Sequence, residues 1–177
     1  MQHWRSILNE KLLPAVRRDS FWRKELTRVA EGKVPSRSIH LAIFVQPYLQ
    51  YVLDGSKTVE SRFSTRRFAP YDQVKQEDII LLKEASGPVV GICQVKTAWF
   101  YELEEESWGE IKQNYTKELC AQDPQFWHDR QDALFATLIR IGQVLPIEPF
   151  SVEKRDRRGW VVLHAPPPQM EFQFEQV

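Results

Sequence analysis

Lys57, Glu60 and Arg62 stand within six positions of one another in the run Gly55-Ser56-Lys57-Thr58-Val59-Glu60-Ser61-Arg62. One carboxylate between two cations is a set of groups suited to recognition. Glu60 can pair with either cation and accept hydrogen bonds from a base edge or an exocyclic amine. Arg62 can hold a phosphate or carboxylate with two parallel hydrogen bonds, or stack on a base. Lys57 offers a point charge to phosphate, and if desolvated beside another cation it can act as a base. The alternative is plain: three charges forming cross-strand ion pairs on a solvated sheet face.

Other candidates lie nearby in sequence or at a distance. Gln46 precedes a helical turn and can offer its amide to a base, and Tyr48 can stack on a ligand or pack in the core. The run Lys154-Arg155-Asp156-Arg157-Arg158-Gly159-Trp160 brings four bases and one acid before an aromatic. Arg157 and Arg158 could grip phosphates there while Trp160 stacks on a base, or the run could be a solvated loop with Trp160 in the core. Arg66 and Arg67 could extend the same basic rim. Of Trp99, Phe100 and Tyr101, at least one is expected to face outward from a strand.

These residues need elements to hold them. Ile39 to Val45 is apolar on both faces and reads as a buried strand. Pro47 opens a helix with the apolar stripe Tyr48, Leu49, Val52 and Leu53, which Gly55 stops. A second strand over Thr58 to Phe63 then gives Thr58, Glu60 and Arg62 one face and turns Val59 into the core. Lys57 depends on the turn after Gly55 to aim it at the same cleft. Further strands are expected over Asp78 to Lys83, Val89 to Ala98, Ala136 to Val144 and Trp160 to Leu163. Ser107 is expected to cap a helix to about Leu119, and Asp123-Pro124 another with Phe126 and Trp127. The acidic run Glu102-Glu104-Glu105-Glu106 reads as a solvated loop. At the N-terminus, residues 3–31 read as helix, bent or broken by Pro14, with Asp19-Ser20 capping the second part and Gly32 ending it. Lys33 to Ser38 reads as a linker.

The bulk properties set the frame. The chain has 177 residues, is 42% apolar and carries six tryptophans, as befits a folded domain. Its net charge is zero, yet residues 1–38 hold nine Lys/Arg against four Asp/Glu, while residues 101–132 hold three against nine. A neutral total therefore conceals a basic and an acidic region. The two cysteines, Cys93 and Cys120, read as free thiols, and the four histidines form no ligand motif, so neither metal nor cofactor is expected. No apolar run reaches the length of a membrane span, so a soluble cytoplasmic protein with no membrane partner is expected.

The pattern Gly-x-Lys-x-x-Glu-x-Arg, carried by Gly55, Lys57, Glu60 and Arg62 and preceded by Gln46-Pro47-Tyr48 and the short helix, resembles the signature of the ASCH family, a PUA-like branch. The resemblance spans roughly Ile39 to Leu163. It implies an α+β fold: a PUA-like β pseudo-barrel of about six strands with short flanking helices. Residues 1–38 would be a basic helical extension, 39–165 the ASCH-like domain and 166–177 a tail. Family members are associated with RNA. Some are amidohydrolases of N4-acetylcytidine, and a ribonuclease for single-stranded RNA has been ascribed to another branch. In the amidohydrolase pattern the lysine corresponds to Lys57 and acts with a threonine three positions on, where this chain has Glu60. That departure changes any mechanism, because a carboxylate cannot replace a hydroxyl nucleophile, though it can activate water. Three readings follow. The first is a module binding single-stranded RNA, a nucleotide or a modified base, with DNA open as a partner. The second is a hydrolase of a modified nucleoside or RNA using Lys57 and Glu60. The third is a protein-interaction domain.

Overall fold

A computed structural model describes residues 4–152 and 158–166. Its strands are β1 (Ile39–Phe44), β2 (Val59–Ser64), β3 (Ile79–Glu84), β4 (Val89–Glu102), β5 (Phe135–Phe150) and β6 (Trp160–His164). They form one mixed sheet in the order β2-β5-β4-β3-β1-β6. Only β1 and β3 run parallel among these neighbours. The register of β4 against β5 shifts at Val89/Gly91, Ile92/Gln94 and Val95/Thr97. Such bulges bend strands and increase their twist, so the long pair turns a corner and the sheet curls into a half-barrel. The architecture is the expected α+β pseudo-barrel.

The alternation along β1 divides two cores. Ile39 and Leu41 face one cluster, together with Ile79 and Leu81 of β3, while Ala42 and Phe44 face another, together with Ile80 and Leu82. The second cluster is the barrel interior, closed by Leu49 and Val52 of helix α4 (Tyr48–Leu53). A third cluster, around Val59, Ala136 and Leu138, is covered by Ile111 of α5 (Glu105–Tyr115) and Phe126 of α6 (Pro124–His128).

The first cluster is completed by the N-terminal helices. A continuous helical stretch runs through α1 (Trp4–Ser6), a π-helical segment Ile7–Leu12 and α2 (Leu13–Ala15). Pro14 therefore does not break it: the wider turns just before Pro14 absorb its missing N–H and its ring. Helix α3 (Ser20–Ala30) follows, with Asp19 Oδ1 accepting from Trp22 N at 2.8 Å. Gly32, at φ +70°, ends it, as Lys33 N donates to Arg28 O. Ile7, Leu8, Leu12, Val16, Trp22, Leu26 and Val29 all bury in the same cluster as Ile39 and Leu81.

Residues 33–38 form the expected linker between α3 and β1, and it is tied down. Arg37 is buried, pairs with Glu25 of α3 and reaches Glu77 at 3.2 Å. Arg28 Nη1 also donates to Glu25 at 3.0 Å. Burial raises the Glu25 pKa, but the hydrogen bonds and charges of Arg37 and Arg28 outweigh it and hold the carboxyl below its ordinary value of 4.5. A depressed folded-state pKa means that this contribution is complete above the unfolded value and is lost as pH falls through the folded one. Stability should therefore decline on acidification below about pH 4.5, and less steeply in Glu25→Gln. Equal slopes for the two proteins in urea titrations across that range would exclude this role.

Three further expectations are corrected. Ser107 does not cap α5: the cap is Glu104, and Ser107 Oγ accepts from Glu104 N at 2.8 Å in a capping box. Most of the acidic run is thus the start of a helix, where negative charge is favoured by the dipole. Strand β4 ends through Trp99, Phe100 and Tyr101 as expected, whereas β5 runs on beyond the expected Val144 through Pro146 and Pro149. Prolines are tolerated there because β5 pairs with β2 only up to Arg140, leaving the later stretch with β4 alone.

Candidate functional site

The sheet order leaves β2 and β6 at opposite ends, and the curl brings those ends face to face. The opening between them is a cavity of about 510 Å³, walled by β2, the end of β1, Tyr48 of α4 and the C-terminal side of α6. Glu60 and Arg62 point into the barrel because their cross-strand partners, Ile139 and Thr137, do.

Lys57 follows the stop at Gly55, which adopts φ +82°. Its backbone N donates to Tyr51 O at 2.8 Å, which turns the chain back against α4. The side chain is 2% exposed, donates from Nζ to Leu119 O at 2.8 Å and stands 3.5 Å from Glu60 Oε2. Burial pulls its pKa below the ordinary lysine value, although the Glu60 carboxylate opposes this. Desolvation wins because one partially engaged carboxylate does not replace the hydration of an ammonium. The Tyr48 ring centroid lies 5.4 Å from Nζ.

Arg62 has a different surrounding. Its guanidinium carbon is 5.0 Å from the Phe44 ring centroid and 5.3 Å from that of Trp160. Nη1 donates to Gly159 O at 3.2 Å, across the opening. Nε lies 2.9 Å from Glu60 Oε1, an ion-pair distance, but it is out of line for a hydrogen bond. Nη2 is buried and has no hydrogen-bond partner among the described residues. Buried guanidinium donors are rarely left so.

Behind Arg62 runs a buried chain that sequence reasoning missed. Trp160 Nε1 donates to His40 Nδ1 at 3.2 Å, and His40 Nε2 meets Asp78 Oδ2 at 3.1 Å. An indole N–H only donates, so His40 Nδ1 carries no proton and Nε2 donates to Asp78. Asp78 also accepts from Ser38 N at 2.8 Å and Lys75 N at 2.9 Å. His40 and Asp78 are both fully buried. The available signal was His40 at an even position of β1, whose even positions face the barrel interior.

The candidate residues divide accordingly. Tyr48, Lys57, Glu60 and Arg62 line the cavity together. Trp160 does not present a free face; it is buried and backs Arg62. Thr58 is exposed and off the cavity, because β2 begins only at Val59 and the preceding backbone binds Glu118 O. Gln46 points elsewhere: its amide nitrogen donates to Glu84 Oε1 at 3.1 Å and its oxygen accepts from Gln50 N. Arg157 lies outside the described residues, and Arg158 is exposed beside Gly159, which does line the cavity. Arg67 is exposed and pairs with Glu102. Trp99 packs on Tyr115 and Phe100 on Tyr71, away from the cavity. The unforeseen wall is α6 and its end, with Phe126, Asp129 and Arg130. The Arg130 guanidinium sits 3.8 Å over the Phe126 ring and donates to Phe126 O at 2.6 Å.

Among the described residues, no three His, Cys, Asp or Glu side chains group as metal ligands. No helix among them is long and apolar enough to cross a membrane.

No family model matches the chain, and no curated protein matches it in sequence. Solved structures do match. An ASCH protein from Zymomonas mobilis superposes with a TM-score of 0.52 at 16% identity, covering 64% of this chain and 73% of that one. A tyrosine-to-phenylalanine mutant of the protein gives 0.54 at 17% identity, covering 66% and 77%. A serine-to-alanine mutant gives 0.53 at 18%, covering 66% and 76%. The chain therefore has an ASCH-like fold.

Proposed function

We propose that the chain is an RNA- or nucleotide-binding module whose ligand enters the cavity lined by Lys57, Glu60 and Arg62. The observation that carries this reading is the buried Nη2 of Arg62, an unmatched donor in a concave, aromatic-walled site beside a buried lysine. The ASCH-like fold supports it as analogy. Single-stranded RNA or an extruded base suits the cavity better than a duplex, since only an unstacked base can turn its edge into a concave site.

Short single-stranded RNAs, titrated at two salt concentrations, test the reading. Affinity should fall as salt rises, with a slope near −0.7 per phosphate neutralised. Lys57→Ala/Arg62→Ala should weaken binding by about tenfold or more, in line with the loss of charged contacts worth over 1 kcal/mol. Absence of binding at low salt, or unchanged affinity in the double variant, would sink it. Single-stranded DNA in the same titration shows whether the ribose matters.

A second reading is favoured by one feature, the lowered pKa of Lys57 beside the Glu60 carboxylate. A lysine that loses its proton more readily than usual, next to a carboxylate, is suited to proton transfer in hydrolysis. Product formation from the same RNAs, or from an acylated cytidine, would establish it.

A further inference from the structure

The inner wall of the cavity carries an ordered hydrogen-bonding pattern. Lys57 lies on one side of Glu60, 3.5 Å from Oε2, and Arg62 on the other, 2.9 Å from Oε1. Each carboxylate oxygen therefore faces one cation and keeps a second lone pair. The ammonium has three protons, one of them on Leu119 O, and the guanidinium keeps Nη2 unmatched among the described residues. Read across the wall, the groups run donor, acceptor, donor.

The complement is acceptor, donor, acceptor. A uracil-type imide edge has that sequence: carbonyl, ring N–H, carbonyl. Cytosine presents amine, ring nitrogen and carbonyl, which would set an amine against a cation and a lone pair against the carboxylate. Adenine likewise lacks the N–H between two carbonyls. We propose that the site selects the imide edge of a uracil-type base, with its ring N–H donating to Glu60 and its two carbonyls accepting from Lys57 and from the Arg62 guanidinium.

Three features hold this pattern in place. Phe44 and Trp160 lie against the Arg62 guanidinium, and Nη1 is tied to Gly159 O. Trp160 is itself fixed through His40 to Asp78. Lys57 is anchored on the Leu119 carbonyl. The order of donors and acceptors is therefore built in before any ligand arrives, which is what makes mismatches costly. The aromatic walls, Tyr48 and Phe126 among them, offer faces for the ring.

The inference rests on the nucleic-acid reading given above, and its test separates the two. Hexauridylate, hexacytidylate and a hexamer of 3-methyluridine are titrated against the full chain under one salt condition. The uridine oligomer should bind about tenfold or more tightly than either of the others, as expected when a wrong edge leaves buried polar groups unmatched. The 3-methyl oligomer keeps both carbonyls and the phosphates and removes only the N–H, so its loss points to Glu60. In Glu60→Gln the preference for uridine over cytidine should collapse, with the unfolding midpoint checked to confirm the fold. Equal binding of the uridine and cytidine oligomers, or indifference to the 3-methyl group, overturns the imide assignment while RNA binding stands. Failure of all three oligomers to bind at low salt removes the nucleic-acid reading, and this inference with it.

Discussion

Deleting residues 1–35 should abolish cooperative folding of the remaining chain. The segment supplies Ile7, Leu8, Leu12, Val16, Trp22, Leu26 and Val29 to a core shared with β1 and β3. Truncating a single buried leucine costs about 2–5 kcal/mol, against a total stability of about 5–15 kcal/mol for an ordinary domain. Losing all seven exceeds that margin. The deletion also removes Glu25 and leaves the buried Arg37 without that partner. Urea unfolding followed by tryptophan fluorescence should show no sharp transition. A truncated protein that unfolds sharply at the full-length midpoint would mean that the helices are an ornament. The result bears on function too. A truncation cannot ask whether the basic helices dock an acidic partner, whereas charge reversal at the exposed Arg17, Arg18 and Lys24 can.

Asp78→Ala should cost about 3–5 kcal/mol of stability, since three donors lose their acceptor and each unsatisfied buried donor costs about 1–3 kcal/mol. The donors are Ser38 N, Lys75 N and His40 Nε2, and the carboxylate itself is fully buried. Asp78→Asn should cost less, because its amide oxygen can still accept from Ser38 or His40. The site supplies a second readout. When Asp78 no longer fixes the His40 tautomer, the Trp160 indole N–H loses its defined acceptor, and its proton resonance should move in both variants. Wild-type stability of Asp78→Ala, or an unmoved indole resonance, would show that the chain of bonds does not order the wall behind Arg62.

How much of this was legible in the sequence follows from the range of each interaction. The alternation of β2 was readable: it gave Glu60 and Arg62 one face and turned Val59 into a core on the other, but that the Glu60 face lines the barrel interior depended on the curl of the sheet. The same rule failed for Thr58, because alternation applies only inside the strand and the chain is still turning at that point. Gly55 and the short helix were readable because caps and apolar stripes are local. The partners that decide the site's chemistry are not local. Arg62 meets Gly159, Trp160 meets His40, and His40 meets Asp78, each across a large separation in sequence. No spacing rule connects such residues; only the curl of the sheet does. For the same reason α6 was recognisable as a helix but not as a wall. Trp160 was readable as a strand residue beside a basic loop, but its role as backing for Arg62 depended on the side of β6 it occupies.

The bond from Arg62 Nη1 to Gly159 O joins the strand at one end of the sheet to the residue just before the strand at the other. The same side chain lines the cavity. If the cavity is loaded as proposed, loading it and holding the barrel shut draw on one side chain, and the two free energies are linked. A molecule held by Arg62 would then also restrain the arm that bridges the gap, so that occupancy and closure would favour each other by the same factor. Among the described residues the two end strands do not pair by backbone, and the clasp between them is a side chain of the cavity wall.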